Sequence, residues 1–522
     1  MIGFHIDMNV VQYKGDYLKK WLRHLSKIGY DTIIWEVENN VQWETCPECV
    51  SPDAFSKFEF KEILDYSLSL GLEPIPLFQT IGHCEYVLKH KKFKYLAELD
   101  GNISQYCPRK PEVIDFIHSW IEEYISVFKG IRYFHIGADE AYSLGKCDSC
   151  AKFVTDHSLS ELFITYINKV AEPIYSRNIV PIIWGDMIFK HHEALEKLSR
   201  KIMVFDWMYD VYCGDGEVWV WGKRKQNRHK LSKNTLGRFK DYLFPNGDEP
   251  GAIPETFYTA DFLSDQGFQT VTCPGSSSSG DNVFSPRNLY HMRNTYDSMH
   301  KGLCNHLQGV VLTSWSVHLF PWELQLACIA MPKYIKMNPD ASLDKYKKWF
   351  AKQYFNLDSG TEFWKACGLL SKSCLFTYTK SLGFNKSTQP VEKEYIDRQI
   401  EKAAEDGKIE CELQNCRKRL EEYEEALVIF EKLSQQLTKN NDLIYFWELA
   451  ARNLINRAKA SIYLLEKKAG YSNLNGQNIL KDMKKLRMKT EKMYEDIVKP
   501  TRRNEILGWI FDSMAYCLEQ RL

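Results

Sequence analysis

A repeated alternation of apolar runs and amphipathic segments is the feature that most restricts how this chain folds. Eight short apolar runs occur, and a helical pattern that ends in glycine comes before several of them. Strands that alternate with helices in this way build parallel sheets. The eight runs are residues 2–6, 32–35, 74–78, 133–136, 179–184, 204–207, 268–272 and 310–313. They predict a (β/α)₈ barrel, with a doubly wound open sheet as the alternative. No glycine-rich phosphate loop follows the first run, which favours the barrel.

The pattern changes near residue 341, where apolar runs give way to helical periodicity. One buried face is predicted from Leu413, Cys416, Leu420, Tyr423, Leu427 and Phe430, which recur at steps of three and four residues. We therefore expect an α/β fold, with a catalytic (β/α)₈ barrel over residues 1–340 and a C-terminal all-α helical bundle domain over residues 341–522. Residues 213–254 interrupt the repeat and predict a long loop on the rim of the barrel.

Charge and composition exclude several classes of function. Lys+Arg and Asp+Glu are equal at 68 each, so the basic excess of a nucleic-acid-binding protein is missing. No run of about 18 apolar residues predicts a membrane span, and the first residues lack the pattern of a signal peptide. We expect a cytoplasmic protein that acts on a neutral substrate. The 15 cysteines then indicate reduced thiols or metal ligands rather than a disulfide framework.

The fourth apolar run ends directly in two carboxylates. The sequence FHIGADEAY at residues 134–142 places Asp139 and Glu140 just past the strand, where a barrel carries its catalytic groups. Neighbouring side chains of an extended chain point in different directions, so one acid can hold a substrate while the other moves a proton. The alternative is a helix N-terminus, which favours acids in its first turn.

Two segments carry a resemblance to a known family. PLFQTIGHCEYVLKH at residues 76–90 and HIGADE at residues 135–140 resemble family 20 β-N-acetylhexosaminidases, and the hexosaminidase D type in particular. The resemblance covers about the first 335 residues. It implies an exo-acting enzyme that removes terminal, non-reducing β-linked GlcNAc and/or GalNAc from a glycan or glycoconjugate, with no cofactor for catalysis.

The resemblance also implies a retaining, substrate-assisted mechanism, in which family 20 departs from the usual carboxylate nucleophile of retaining glycosidases. Glu140 would protonate the glycosidic oxygen. Asp139 would hold the N–H of the 2-acetamido group, whose oxygen attacks the anomeric carbon to form an oxazolinium. His83 and His135 would tune this pair of acids, although each also fits a core position.

Further substrate-binding residues follow from the same resemblance. Aromatic residues would wall the N-acetyl group and the sugar face, a tyrosine would bind the acetamido oxygen, and a carboxylate would bind sugar hydroxyls. An Arg that usually follows the first strand is missing, which implies that an acid there binds hydroxyls instead. In this chain these residues are Trp184, Trp207, Trp315, Tyr209, Glu323 and Asp7.

Two Cys-x-x-Cys pairs lie in loops on the predicted active-site rim. Cys46 and Cys49 follow the second strand, and Cys147 and Cys150 follow the fourth. Four thiolates are the ligand set of a structural zinc site, although the 97 residues between the pairs exceed ordinary zinc-ribbon spacing. Unlinked reduced thiols and disulfides are the alternatives.

Two functions from other classes compete with the enzyme. A metal-dependent barrel hydrolase would use His5, Asp7, His83, His135 and Asp139, but position 7 lacks the histidine of the usual His-x-His pair. A glycan-binding barrel without activity would be indicated by the loss of one acid, and both acids are present. A homodimer is left open by the sequence.

Overall fold

Eight parallel strands close into a barrel, which confirms the fold predicted from the repeat. In the computed structural model their order around the barrel is their order in the chain, and the last strand pairs with the first. The strands are β1 Ile2–Asp7, β2 Thr32–Glu36, β3 Glu73–Leu77, β4 Tyr133–His135, β5 Val180–Trp184, β6 Met203–Trp207, β7 Gln269–Cys273 and β8 Gly309–Leu312.

The structure describes residues 1–209, 211–214, 217–218, 226–227, 231, 233–249, 251–303, 306–377 and 395–522. The predicted rim loop at 213–254 therefore lies partly outside the described residues. Its described part contains a helix, Lys233–Leu243, and a short antiparallel pair formed by Glu217–Val218 and Gln226–Asn227. The described part of this segment thus contains regular structure that a loop would lack.

Helices alternate with the strands along the barrel part of the chain. They are α1 Gly15–Lys27, α2 Lys57–Ser69, α3 Glu85–Leu88, α4 Pro111–Val127, α5 Asp148–Asp156, α6 Leu159–Val170, α7 Glu172–Tyr175, α8 Asp186–Lys190, α9 Lys233–Leu243, α10 Tyr258–Asp265 and α11 Asn288–Gly302. Two 3₁₀ turns, Pro47–Cys49 and Lys91–Leu96, lie in the loops after β2 and β3.

The rest of the described chain is helical. Its helices are α12 Trp322–Ile329, α13 Met331–Met337, α14 Leu343–Phe355, α15 Thr361–Leu370, α16 Tyr395–Glu405, α17 Ile409–Gln436, α18 Asn441–Lys468, α19 Gly476–Glu495, α20 Pro500–Leu507 and α21 Ser513–Glu519. None of the helices described is both long and apolar enough to cross a membrane.

The chain divides into two units, and the division is not a single cut. The first unit contains the barrel and comprises Met1–Asn9, Leu18–Gly275 and Arg293–Ser314. The second comprises Val10–Tyr17, Ser276–Met292 and Trp315–Leu522. Residues 315–340, which were expected to belong to the barrel domain, are therefore grouped with the helices.

Helix α17 follows the predicted periodicity with a small rotation of its buried face. Leu413, Cys416, Tyr423 and Phe430 are buried, as the pattern predicts. Leu420 and Leu427 are only half-buried, and Arg419 and Ala426 are buried in addition. Because α17 packs against both α15 and α18, its buried surface is wider than one seam.

Candidate active site

The loop after β4 presents the two acids in a constrained backbone. Ala138 and Glu140 have φ of 77° and 48°, a region that residues other than glycine rarely adopt. Helix α5 begins only at Asp148, so the acids are not at a helix N-terminus. Strained residues persist where the surroundings determine them, and they cluster at functional sites.

The loop after β3 holds this backbone in place by close approach. A Cβ at Gly82 would lie 2.3 Å from the carbonyl oxygen of Asp139, a distance that no side chain tolerates. The hydroxyl of Thr80 donates to the carbonyl oxygen of Ile136 at 2.7 Å. Glycine at position 82 is therefore needed for the two loops to meet.

His83 contacts both acids. Its Nε2 lies 3.1 Å from Oδ2 of Asp139 and 3.4 Å from Oε2 of Glu140. The side chain of Asp139 is 8% exposed, whereas that of Glu140 is 32% exposed. The more accessible Glu140 is thus better placed to exchange protons, and the buried Asp139 is better placed to hold a ligand group. The structure brings together the three residues that the sequence put at the centre of the site.

His135 lies beneath the acids and is neutral. The N–H of Gly137 donates to its Nδ1 at 3.0 Å, so the ring proton resides on Nε2. Burial lowers the pKa of His135 to about 3. The ring packs against Trp184, with centroids 4.5 Å apart, and against Phe205 at 5.2 Å. His135 is therefore a buried support of the site rather than a proton carrier at neutral pH.

A buried polar network joins the carboxyl ends of β1, β2 and β3. Nε2 of His5 lies 2.9 Å from Oε2 of Glu36, whose other oxygen accepts from Nε2 of Gln79 at 2.9 Å. Asp7, also buried, accepts the N–H of Asn9 at 2.7 Å. Neither Glu36 nor Gln79 was assigned a role from the sequence. Their positions as polar residues at the ends of consecutive predicted strands could have identified them from the sequence.

Asp186 is a third acid of the site that sequence reasoning missed. Its Oδ2 accepts the backbone N–H of Glu140 at 3.3 Å, and its Oδ1 accepts Nε1–H of Trp207 at 3.4 Å. Burial raises the pKa of Asp186 to about 7, and the charges of Asp139 and Glu140 add to the increase. An acid two residues past a predicted rim tryptophan, Trp184, was the signal that could have identified it.

The aromatic residues expected around the sugar divide between the two units. Trp207 and Tyr209 stack with ring centroids 5.1 Å apart, and Asp186 connects Trp207 to the backbone of Glu140. Trp315 and Glu323 belong to the second unit. There Glu323 is buried and accepts a hydrogen bond from the hydroxyl of Tyr17 at 2.8 Å. Their role in binding a sugar stays a prediction.

The cysteines depart from the predicted zinc ligand set. Cys46 and Cys49 form a disulfide across the turn Pro47–Cys49, so they are not thiolates here. The physical reason is that this tight turn places the two residues side by side. Cys107, which belongs to neither Cys-x-x-Cys pair, lies with Cys147 and Cys150 in a group whose sulfurs are within 4.8 Å of one another.

These three cysteines are the only group of at least three candidate metal ligands within that distance among the described residues. The five residues of the rival metal hydrolase do not form such a group.

A cleft of about 480 Å³ opens at the amino ends of the strands, lined in part by Glu73 and Arg132. Barrel enzymes place their chemistry at the carboxyl ends, so the cleft is not the candidate site.

Comparison with known proteins finds a family match over part of the chain. Residues 17–214 match the glycosyl hydrolase family 20 catalytic domain. Hexosaminidase D of Bos taurus is 30% identical over 189 residues, which are 35% of this chain and 55% of the relative. Hexosaminidase D of Homo sapiens is 29% identical over 189 residues, 35% of this chain and 39% of the relative. The chain thus spans about half, or less, of the length of these curated relatives.

Solved structures with similar folds include two hexosaminidases. The β-N-acetylhexosaminidase of Bacteroides fragilis has a TM-score of 0.48 at 15% identity, covering 74% of each chain. The Streptomyces plicatus N-acetyl-β-hexosaminidase in complex with Thio-NAglucal has a TM-score of 0.47 at 15% identity, covering 67% of each chain.

Proposed function

Since residues 17–214 match the glycosyl hydrolase family 20 catalytic domain and the chain is similar to hexosaminidase D, we propose that it belongs to this family and is a β-N-acetylhexosaminidase. Its substrates are glycans or glycoconjugates that end in a β-linked GlcNAc or GalNAc, which it removes from the non-reducing end. The observation that carries the proposal is the contact of His83 with both Asp139 and Glu140 at the carboxyl end of β4.

The proposed reaction is retaining and assisted by the substrate. Asp139 accepts the N–H of the 2-acetamido group and orients its carbonyl oxygen toward the anomeric carbon. As that oxygen forms a bond to the carbon, Glu140 gives its proton to the departing glycosidic oxygen. Water then opens the oxazolinium while Glu140 takes back a proton. No protein nucleophile and no metal takes part.

Burial supports this division of roles. Asp139 is almost fully enclosed, whereas a third of the Glu140 side chain is accessible. A hydrogen bond between a carboxylate and a substrate amide is stronger in a buried environment, because water does not compete for either partner there. The acid must in contrast meet an entering water molecule in the second step. Tyr209 and Trp207 would complete the acetamido pocket.

The direct test is hydrolysis of 4-nitrophenyl β-N-acetylglucosaminide and 4-nitrophenyl β-N-acetylgalactosaminide by the purified chain. The ratio of the two kcat/KM values assigns the preferred sugar. A 4-nitrophenyl β-glucoside, which lacks the acetamido group, is the matched control and should not be turned over. Equal rates on the glucoside would contradict substrate assistance, and no release from either acetamido sugar would contradict the proposal.

We also propose that the protein works in the cytosol. Thiols that are free in the structure include buried Cys84, Cys273 and Cys367 and exposed Cys213 and Cys411. Free thiols in this number fit a reducing compartment. Fractionation of cells that express the chain from its natural promoter would test this.

A further inference from the structure

Three cysteines from two loops of the barrel form a cluster with the dimensions of a metal site. Sγ of Cys107 lies 3.7 Å from Sγ of Cys147 and 3.6 Å from Sγ of Cys150. Thiolates bound to a tetrahedral zinc ion at about 2.3 Å are held about 3.8 Å from one another. A disulfide would require about 2.05 Å. The observed separations match sulfurs that share a metal.

The surroundings of the cluster favour thiolates. Backbone N–H groups of Arg109 and Lys110 hydrogen-bond to the sulfur of Cys107. Cys147 is the N-cap residue of the nine-residue helix α5 and Cys150 lies in its first turn, where the helix dipole stabilises negative charge.

We propose that Cys107, Cys147 and Cys150 bind one zinc ion. Three soft thiolates select zinc among the common divalent cations, and Cys-x-x-Cys at a helix start is a usual half of such a site. The binding does not depend on the reaction proposed above. It differs from the set expected from the sequence, because Cys107 takes part and the Cys46–Cys49 pair is bonded to itself.

The fourth ligand is either water or a thiol of the Cys46–Cys49 pair after reduction. The pair is attached to the same segment as the cluster, since Oε1 of Glu48 lies 2.6 Å from Nζ of Lys92. Lys92 belongs to the turn Lys91–Leu96, and the carbonyl oxygen of Leu96 accepts the N–H of Cys107 at 2.9 Å. The experiment below separates the two sources.

The site would join the two loops that carry the acids and His83. The Cys107 loop follows β3, and the Cys147 loop follows β4 seven residues after Glu140. Around the cluster, Oε1 of Gln105 accepts the N–H of Ser143 at 2.8 Å. Similarly, buried Glu98 accepts the N–H of Lys146 at 2.7 Å. A metal here fixes the same pair of loops that bring His83 within 3.1 Å of Asp139.

The test measures metal content on the full chain, expressed with zinc in the medium and purified under reducing conditions without chelator. We expect about one zinc per chain, and at least about a tenfold decrease in Cys107→Ser and Cys147→Ser. Cys84→Ser is the matched control, since Cys84 is also a buried thiol of the loop after β3 but outside the cluster. It should keep the wild-type zinc content.

Cobalt replacement counts the thiolates. The intensity of the thiolate-to-cobalt charge-transfer band scales with the number of sulfur ligands. In the Cys46→Ser/Cys49→Ser double variant, the band intensity should stay unchanged if water is the fourth ligand. It should fall by about a quarter if the Cys46–Cys49 pair supplies the fourth ligand. Either result supports the three-cysteine site. Zinc-free wild-type protein, or a Cys107→Ser variant with the full zinc content and cobalt spectrum, would overturn it.

Discussion

Replacement of Asp186 by Asn should stabilise the protein at neutral pH and at the same time slow the enzyme. The carboxyl group is buried, and its pKa is raised from the ordinary value of 3.8 to about 7. Below pH 4 the group is neutral in the folded and the unfolded chain. Between pH 4 and 7 the unfolded chain releases its proton while the folded chain retains it, so stability falls as the pH rises.

The size of this loss follows from the two pKa values. A difference of about 3 pH units corresponds to about 4 kcal/mol, which is reached above pH 7. Asn cannot ionise, so the variant should lack this decrease. It also loses one of two acceptors, because Asp186 receives the N–H groups of Glu140 and Trp207 and an amide has a single oxygen. That cost is about 1–3 kcal/mol at every pH.

Asp206→Asn provides the matched control. Burial raises the pKa of Asp206 to about 7 as well, but its carboxylate accepts the hydroxyl of Thr259 at 2.7 Å and does not contact the acids. An Asn oxygen can accept the same hydroxyl. Both variants should therefore lose the decrease in stability between pH 4 and 7. Only Asp186→Asn should lower kcat, by about 10- to 100-fold, because it releases the backbone of Glu140.

The assay combines thermal melts between pH 4 and 8 with kcat and KM for a 4-nitrophenyl β-N-acetylhexosaminide. For each variant, the difference in Tm from wild type should grow with pH and level off above pH 7. Parallel Tm curves for Asp186→Asn and wild type would refute the raised pKa. An equal loss of kcat in the two variants would refute the positioning of Glu140 by Asp186.

Three other predictions test the acids and their loop. Glu140→Gln should lower turnover by about 10²- to 10⁴-fold, with a smaller loss in the first step for substrates with good leaving groups; equal losses would contradict its role as the acid. Gly82→Ala should lower kcat by about 10²-fold, because its Cβ would displace the Asp139 carbonyl, whereas Gly237→Ala, with open space around it, should be neutral. An N-acetyl-thiazoline that mimics the bridged intermediate should inhibit strongly, and covalent trapping of a sugar on a side chain would contradict the mechanism.

Features that repeat along the chain could be predicted from the sequence. Each barrel strand is a short apolar run between helical segments, and all eight were located because burial on both faces requires continuous apolar residues. The acids after β4 were found for the same reason, since the end of a strand defines where a barrel places its active site. Segments at 10–17 and 276–292, which join the second unit, have no such local signal.

Features that depend on two distant loops meeting could not be read from local patterns. Asp186 follows a strand like many structural acids, and only the fold brings its carboxylate to the N–H of Glu140. Cys107 has no partner nearby in the chain, so spacing favoured the two Cys-x-x-Cys pairs. The spacing of cysteines in the chain indicates only which of them lie in the same turn. In the turn that contains Cys46 and Cys49, the two residues form a disulfide with each other.

The same two loops carry both the proposed chemistry and the proposed metal. The loop after β3 supplies Gly82, His83 and Cys107, and the loop after β4 supplies Glu140 and Cys147. The two loops contact each other at two places. At the first, Gly82 lacks a side chain and so leaves room for the carbonyl of Asp139. At the second, the sulfurs of the three cysteines lie at the separation expected for ligands of one metal ion. Positive φ at His83 and Glu140 costs energy of order 1–3 kcal/mol each, which a fixed loop pair must offset. A metal bound by the cysteine cluster would therefore affect the acids by holding the two loops in position, without contacting the substrate.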